Sequence, residues 1–171
     1  MGQAVCAHHV AHGRTAGMDP LTVTPIGSVH GGRREPIDDD WADVECQIRL
    51  DDTRFGPAAL GGLDGFSHVD VIFVFHRVDE DDVHLGARRP RDNRDWPQVG
   101  IFAQRAKARP NRIGVTTCEL VAVDGLGVTV RGLDAIERSP VLDLKPHMTE
   151  FGPRTPVRQP AWSNALMHGY W

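Results

Sequence analysis

Asp143, Lys145 and His147 stand two apart in Pro140-Val141-Leu142-Asp143-Leu144-Lys145-Pro146-His147. In an extended chain that spacing projects all three from one face. A carboxylate placed there can accept a proton from a bound substrate, and a neighbouring lysine can orient it or engage an anionic group. A solvated strand end has the same spacing, and spacing alone favours that plainer reading. A second candidate is the cationic loop from Phe102 to Gly114, which holds Arg105, Lys107, Arg109 and Arg112. Pro110 fixes φ there, Asn111 tolerates a left-handed turn, and Gly114 allows the backbone close to a ligand. His76 and Arg77 close the apolar strand that ends Phe73-Val74-Phe75. A lone histidine at such a point is more often a satisfied surface residue than a ligand.

Several familiar chemistries are absent. There is no G-x-x-x-x-G-K-[ST], and Gly125-Leu126-Gly127 lacks a third glycine and a following helix, so neither phosphate loop nor dinucleotide fingerprint is present. No G-x-S-x-G or H-E-x-x-H occurs, and Ser67-His68 is too local a pair for a hydrolytic triad. His8, His9 and His12 form an incidental cluster without an acidic partner, and no metal site is expected.

The elements that must carry these residues read mostly as strands. Asp43 to Leu50 alternates, with Val44, Cys46, Ile48 and Leu50 on one face and Glu45, Gln47 and Arg49 on the other. Thr22–Val29, Val69–Phe75, Val99–Phe102, Val115–Val123, Val128–Leu133 and Val141–Leu144 are rich in β-branched residues and read likewise. Asp124-Gly125-Leu126-Gly127 is a hairpin turn. Helical pattern is confined to Pro57–Leu60 and to the C-terminal stretch, where Trp162, Leu166 and Tyr170 are spaced by four. The expected fold is mainly β, a small antiparallel barrel with one or two short helices and an aromatic C-terminal tail. Residues 1–17 read as a flexible extension, 18–152 as the barrel domain and 153–171 as a linker and helical tail that docks on the barrel or on a second subunit.

The 171 residues, 40% hydrophobic and 25% charged, suffice for one core. The longest apolar run, Val69 to Phe75, contains Asp70 and stops far short of a membrane span. No secretory signal is visible, and three cysteines never spaced C-x-x-C fit a reducing cytoplasm. The net charge of −4 discourages a nucleic-acid partner. Its distribution is uneven: fourteen acids face three arginines between Glu35 and Asp82, whereas Gly86 to Arg112 holds seven arginines and Lys107 against two aspartates. The basic segment could meet a phosphate backbone; on charge alone, mutual neutralisation of the two segments is the favoured reading.

Taken together, Pro25-Ile26-Gly27, Gly61-Gly62-Leu63-Asp64-Gly65-Phe66-Ser67-His68, Phe73-Val74-Phe75-His76, Val99-Gly100-Ile101-Phe102-Ala103-Gln104-Arg105, Arg109-Pro110-Asn111-Arg112-Ile113-Gly114, Gly132-Leu133-Asp134 and Pro140 to Pro146 make a recognisable order. The chain resembles the TrmO-like family, also called YaeB-like or TsaA-like, of β-barrel methyltransferases that use S-adenosylmethionine. The resemblance runs from about Pro25 to Met148. It implies a typically dimeric barrel that methylates the exocyclic nitrogen of N6-threonylcarbamoyladenosine beside the tRNA anticodon. Carried over position by position, it implies cofactor contacts at His76, Arg77, Arg105, Val115 and the turn Asp134, Ala135, Ile136, Glu137. It also implies that Asp143 and Lys145 lie beside the methyl-transfer centre. On this basis Arg88, Arg89, Arg91, Arg109 and Asn111 are expected to hold tRNA, and His147 or Trp96 to stack on an unpaired base. The chain departs from the family pattern at Arg112, where a second proline is usual, at Glu137-Arg138-Ser139 and at His147, where an aromatic residue is usual. Methylation of a small molecule or another RNA, or cofactor binding without catalysis, are the alternatives.

Overall fold

Alternation of burial along six strands builds the core. The computed structural model describes residues 19–171. The extension expected over residues 1–17, with its three histidines, lies outside the described residues. In chain order the strands are β1 (Gly27–His30), β2 (Glu45–Leu50), β3 (His68–Val74), the two-residue β4 (Ala87–Arg88) and β5 (Val99–Gly100), then β6 (Ile113–Asp124), β7 (Gly127–Arg131) and β8 (Pro140–Pro146). In β2 Cys46 and Ile48 are buried while Glu45 and Arg49 are exposed, as the alternation requires. Val69, Val71 and Phe73 of β3 are fully buried and meet Val29, Val128, Val130 and Val141 in one cluster. Cys46 and Cys118 are buried in the same cluster, and burial pushes the Cys46 thiol up to about 12.

The strands close in the order β1-β2-β7-β6-β3-β8, every pair antiparallel, with β8 returning to β1 through Gly27 opposite Val141. Closure leaves the barrel itself no open edge. The β6–β7 hairpin turns at Gly125, whose φ of +59° supplies the positive angle this two-residue loop needs. The antiparallel barrel expected from sequence is therefore the fold observed. The second reading, of Gly114 as a place for ligand approach, is corrected: Gly114 faces inward, and a Cβ there would lie 2.4 Å from the Phe73 ring. Phe73 fills the space the glycine leaves.

Outside the barrel, β4 pairs with β5 as a small hairpin arm. The strand expected over Val99–Phe102 is cut short because the chain turns into a 3₁₀ helix at Ile101–Ala103. Buried Gln104 fixes this arm by donating to the carbonyls of Arg88 and Val99 at 3.0 Å each. The C-terminal tail forms α1 (Ala161–Leu166) and docks on the barrel's own loop: Trp41 and Asp40 donate their amides to the carbonyls of Tyr170 and Gly169 at 2.9 Å. The helix ends at Leu166, so Tyr170 reaches the barrel from a turn with Gly169 at φ +78° rather than from a helical face. Among the described residues no helix is long and apolar enough to cross a membrane.

Candidate functional site

A bulge in β8 decides which side chains reach the surface. Ile72 lies opposite Asp143, but Phe73 lies opposite Val141, so Leu142 is the extra residue. Val141 and Asp143 have the same parity and would share a face in a regular strand. With Leu142 out of step, Val141 enters the core while Asp143 and Lys145 both face outward. Asp143 accepts from Lys145 Nζ at 2.6 Å through Oδ2 and from the Leu144 amide at 3.0 Å through Oδ1. That hydrogen bond, and then the carboxylate's charge, hold the Lys145 ammonium above its ordinary range. On the same outer wall the register sets Asp143, Ile72 and Val115 in one row and Lys145, Asp70 and Thr117 in the next. Asp143 and Val115 are thus roughly 10 Å apart, two strand spacings.

His147 lies about 13 Å further along from Asp143, beyond the far end of β8. Its Nδ1 is 3.1 and 3.2 Å from the two oxygens of Asp70, and Thr117 Oγ1 donates to the same carboxylate at 2.5 Å. Sequence reasoning did not single out Asp70 as the partner of His147; its only signal is a charge inside the apolar run of β3.

The barrel end formed by the C-termini of β1, β7 and β3 gathers most of the residues implied for the cofactor. Arg105 donates to the carbonyl of Val115, and the next residue, buried Thr116, donates its hydroxyl to Asp134 Oδ1. Tyr170 donates its hydroxyl to Asp134 Oδ2 at 2.5 Å. Arg105, Val115 and Asp134 therefore converge on two consecutive residues of β6. Ala135 and Ile136 are buried, so these two residues can offer a ligand only main-chain groups. Glu137 Oε2 accepts the Gly31 amide at 2.8 Å, and its other oxygen is 3.8 Å from His30. His76 Nδ1 lies 3.3 Å from Ser139 Oγ. Burial, and then the charge of Arg77, lower the His76 pKa from its ordinary value. Arg77 itself turns to the carbonyl of Arg34 at 3.0 Å and to Glu35 at 3.7 Å.

The arginine-rich arms are largely engaged. Arg88 pairs with Asp92 at 3.2 Å, Arg91 with Asp39 at 2.5 Å, Lys107 with Asp38 at 3.1 Å and Arg112 with Glu80 at 3.8 Å. Arg89 and Arg109 donate to the carbonyls of Trp96 and Gln104. The acidic and basic segments thus neutralise each other in part, as their charges alone suggest. Asn111 takes φ +62° and Arg112 φ +53°; a proline, fixed near −65°, cannot adopt the latter. Beside the arms a cleft of about 340 Å³ is lined by Arg77, Val78, Asp81, Asp82, His84, Arg88, Lys107 and Ala108. Arg88 Nε is buried there without a hydrogen-bond partner among the described residues.

The donor set at the barrel end fits a nucleoside amino acid. Asp134 has acceptor positions beyond the two already taken, and Arg105 can face a carboxylate.

Comparison with known proteins gives the family. The model of the tRNA-methyltransferase O N-terminal domain matches residues 31–152. A human tRNA (adenine(37)-N6)-methyltransferase is 37% identical over 147 residues, covering 82% of this chain and 33% of its own length. The chain thus spans about a third of that relative. A Methanothermobacter thermautotrophicus protein named "Probable S-adenosyl-L-methionine-binding protein" is 38% identical over 131 residues, covering 74% of this chain and 90% of its own. The crystal structure of TrmO from Pseudomonas aeruginosa superposes with a TM-score of 0.65 at 25% identity, covering 82% of this chain and 62% of that one. With its barrel strands closed in this order and the match spanning residues 31–152, the chain belongs to the tRNA-methyltransferase O N-terminal domain family.

Proposed function

We propose that the chain is an S-adenosylmethionine-dependent methyltransferase that modifies the exocyclic nitrogen of N6-threonylcarbamoyladenosine beside the tRNA anticodon. The observation that carries this reading is adjacency along β6: Arg105 meets the carbonyl of Val115, Asp134 meets the inward-facing hydroxyl of Thr116 beside it, and Asp143 with Lys145 stands two strands from Val115 on the outer face. S-adenosylmethionine, when bound, supplies an electrophilic methyl group. His76, Arg77, Arg105, Val115 and the Asp134–Glu137 turn would hold that cofactor, Ala135 and Ile136 by their main chain. Asp143 takes the proton lost from the acceptor nitrogen, and Lys145 holds Asp143 in place or engages the threonyl carboxylate. Alignment of donor and acceptor supplies most of the acceleration. Arg88, Arg89, Arg91, Arg109 and Asn111 hold the tRNA backbone, and His147, oriented by Asp70, meets a neighbouring base. The working form is a homodimer, for which exposed Ile113 and Val115 on β6 offer apolar surface.

The test is incubation of the purified protein with labelled cofactor and tRNA from cells able and unable to make threonylcarbamoyladenosine, followed by nucleoside mass analysis. The expected product is that nucleoside heavier by one methyl group, formed only from the first tRNA. Cofactor binding without transfer to either tRNA refutes the proposal. It would favour a second reading, cofactor binding without catalysis, which the internal pairing of Arg91 and Lys107 also supports.

A further inference from the structure

Tyr170 lies beyond residue 152, the last matched by the family model, yet it reaches into the barrel end. Its hydroxyl donates to Asp134 Oδ2 at 2.5 Å while Thr116 holds Oδ1. Its carbonyl accepts the Trp41 amide at 2.9 Å, and the Gly169 carbonyl accepts that of Asp40 at the same distance. The Trp171 ring meets it edge-on, with centroids 4.9 Å apart. The Asp40–Trp41 loop therefore anchors the backbone at Tyr170, and Trp171 flanks its ring.

We propose that Tyr170 is a positioning residue of the cofactor site, its hydroxyl setting the orientation of Asp134 so that the segment following the barrel completes the site. This rests on the cofactor reading above. A carboxylate offers about four acceptor positions. Thr116 and Tyr170 occupy one on each oxygen, which pins the plane of the group and leaves the remaining positions for hydroxyl or amino donors of a nucleoside. Without the tyrosine hydroxyl, Asp134 keeps one tether and can rotate about its terminal torsion. Burial, and then the charge of Asp134, keep the phenol protonated and hence a donor.

The test is calorimetric titration of the full chain with S-adenosylhomocysteine, using wild type, Tyr170→Phe, Asp134→Ala and the double variant. Tyr170→Phe keeps the ring and removes one charge-assisted hydrogen bond; it is expected to weaken binding about tenfold. In the Asp134→Ala background the same change is expected to cost less than about twofold, because the partner is already gone. A merely structural tyrosine would weaken both backgrounds alike, and that outcome overturns the proposal. Unchanged or tighter binding by Tyr170→Phe also overturns it, the latter making the tyrosine a competitor for Asp134. A Tyr170→Phe chain that no longer folds, judged by thermal unfolding of the same samples, assigns the residue to stability and overturns it too. Absence of binding to wild type removes the cofactor reading itself, and this inference with it.

Discussion

Whether the arginine arms can grip a nucleic acid depends on two aspartates outside them. Asp39 holds Arg91 through two contacts, at 2.5 and 3.1 Å, and Asp38 holds Lys107 at 3.1 Å. Both pairs are substantially exposed, so each contributes only about 0.2–1 kcal/mol, and replacing the acids leaves the fold intact. The double variant Asp38→Asn, Asp39→Asn frees two cations for phosphate. Each phosphate neutralised steepens the fall of log K with log salt by roughly 0.7 on single strands and 0.9 on duplex. Two added contacts therefore steepen it by about 1.4–1.8, or about tenfold in affinity across a fourfold change of salt. Fluorescence anisotropy with labelled tRNA at several salt concentrations reads this directly. The charge-matched variant Asp52→Asn, Asp64→Asn, whose acids have no cationic partner among the described residues, is the control. Parallel lines for wild type and the first variant, or equal steepening by the control, would show that the arms do not meet phosphate.

Asp143→Asn is expected to abolish nearly all methyl transfer while leaving cofactor affinity close to wild type; equal turnover of the two proteins removes Asp143 from the chemistry. Gly114→Ala drives a methyl group into the Phe73 ring, and a loss of about 1–3 kcal/mol in denaturant unfolding is expected, partly restored by Phe73→Leu. His76 has a folded-state pKa below its unfolded value near 6.5. The unfolded chain therefore binds more protons as pH drops through 6.5, and stability present above that value is lost on acidification. Thermal melts from pH 8 to pH 5 are expected to show a shallower acid decline for His76→Gln than for wild type, and identical profiles would contradict the assignment.

Local features of the sequence translated well into structure. The alternation of β2, the Gly125 turn and the inward run of β3 depend on neighbours in the chain, and each stands where its pattern places it. Asp143 and Lys145 share a face as their spacing requires. What escaped were partnerships across long separations. Asp70 and His147 are 77 residues apart, and Asp134 and Tyr170 are 36 apart, so no spacing rule links them. The four-residue spacing of Trp162, Leu166 and Tyr170 suggests one continuous helical face, but Tyr170 is turned by a left-handed glycine and does different work. The fate of the basic arms was open on charge alone because neutralisation depends on where Asp38 and Asp39 are brought by the fold.

The out-of-step residue at Leu142 divides one short strand into two opposed rhythms. Ahead of it the chain keeps time with the interior, and after it with the solvent. Deleting that residue would make Val141 and Asp143 consecutive, and a regular strand would still send the valine inward opposite Phe73 and the carboxylate outward opposite Ile72. The strict interval is the one after the bulge: a residue gained or lost between Asp143 and Lys145 would send those two side chains to opposite faces, whereas the strand can give up Leu142 and keep its outward pair.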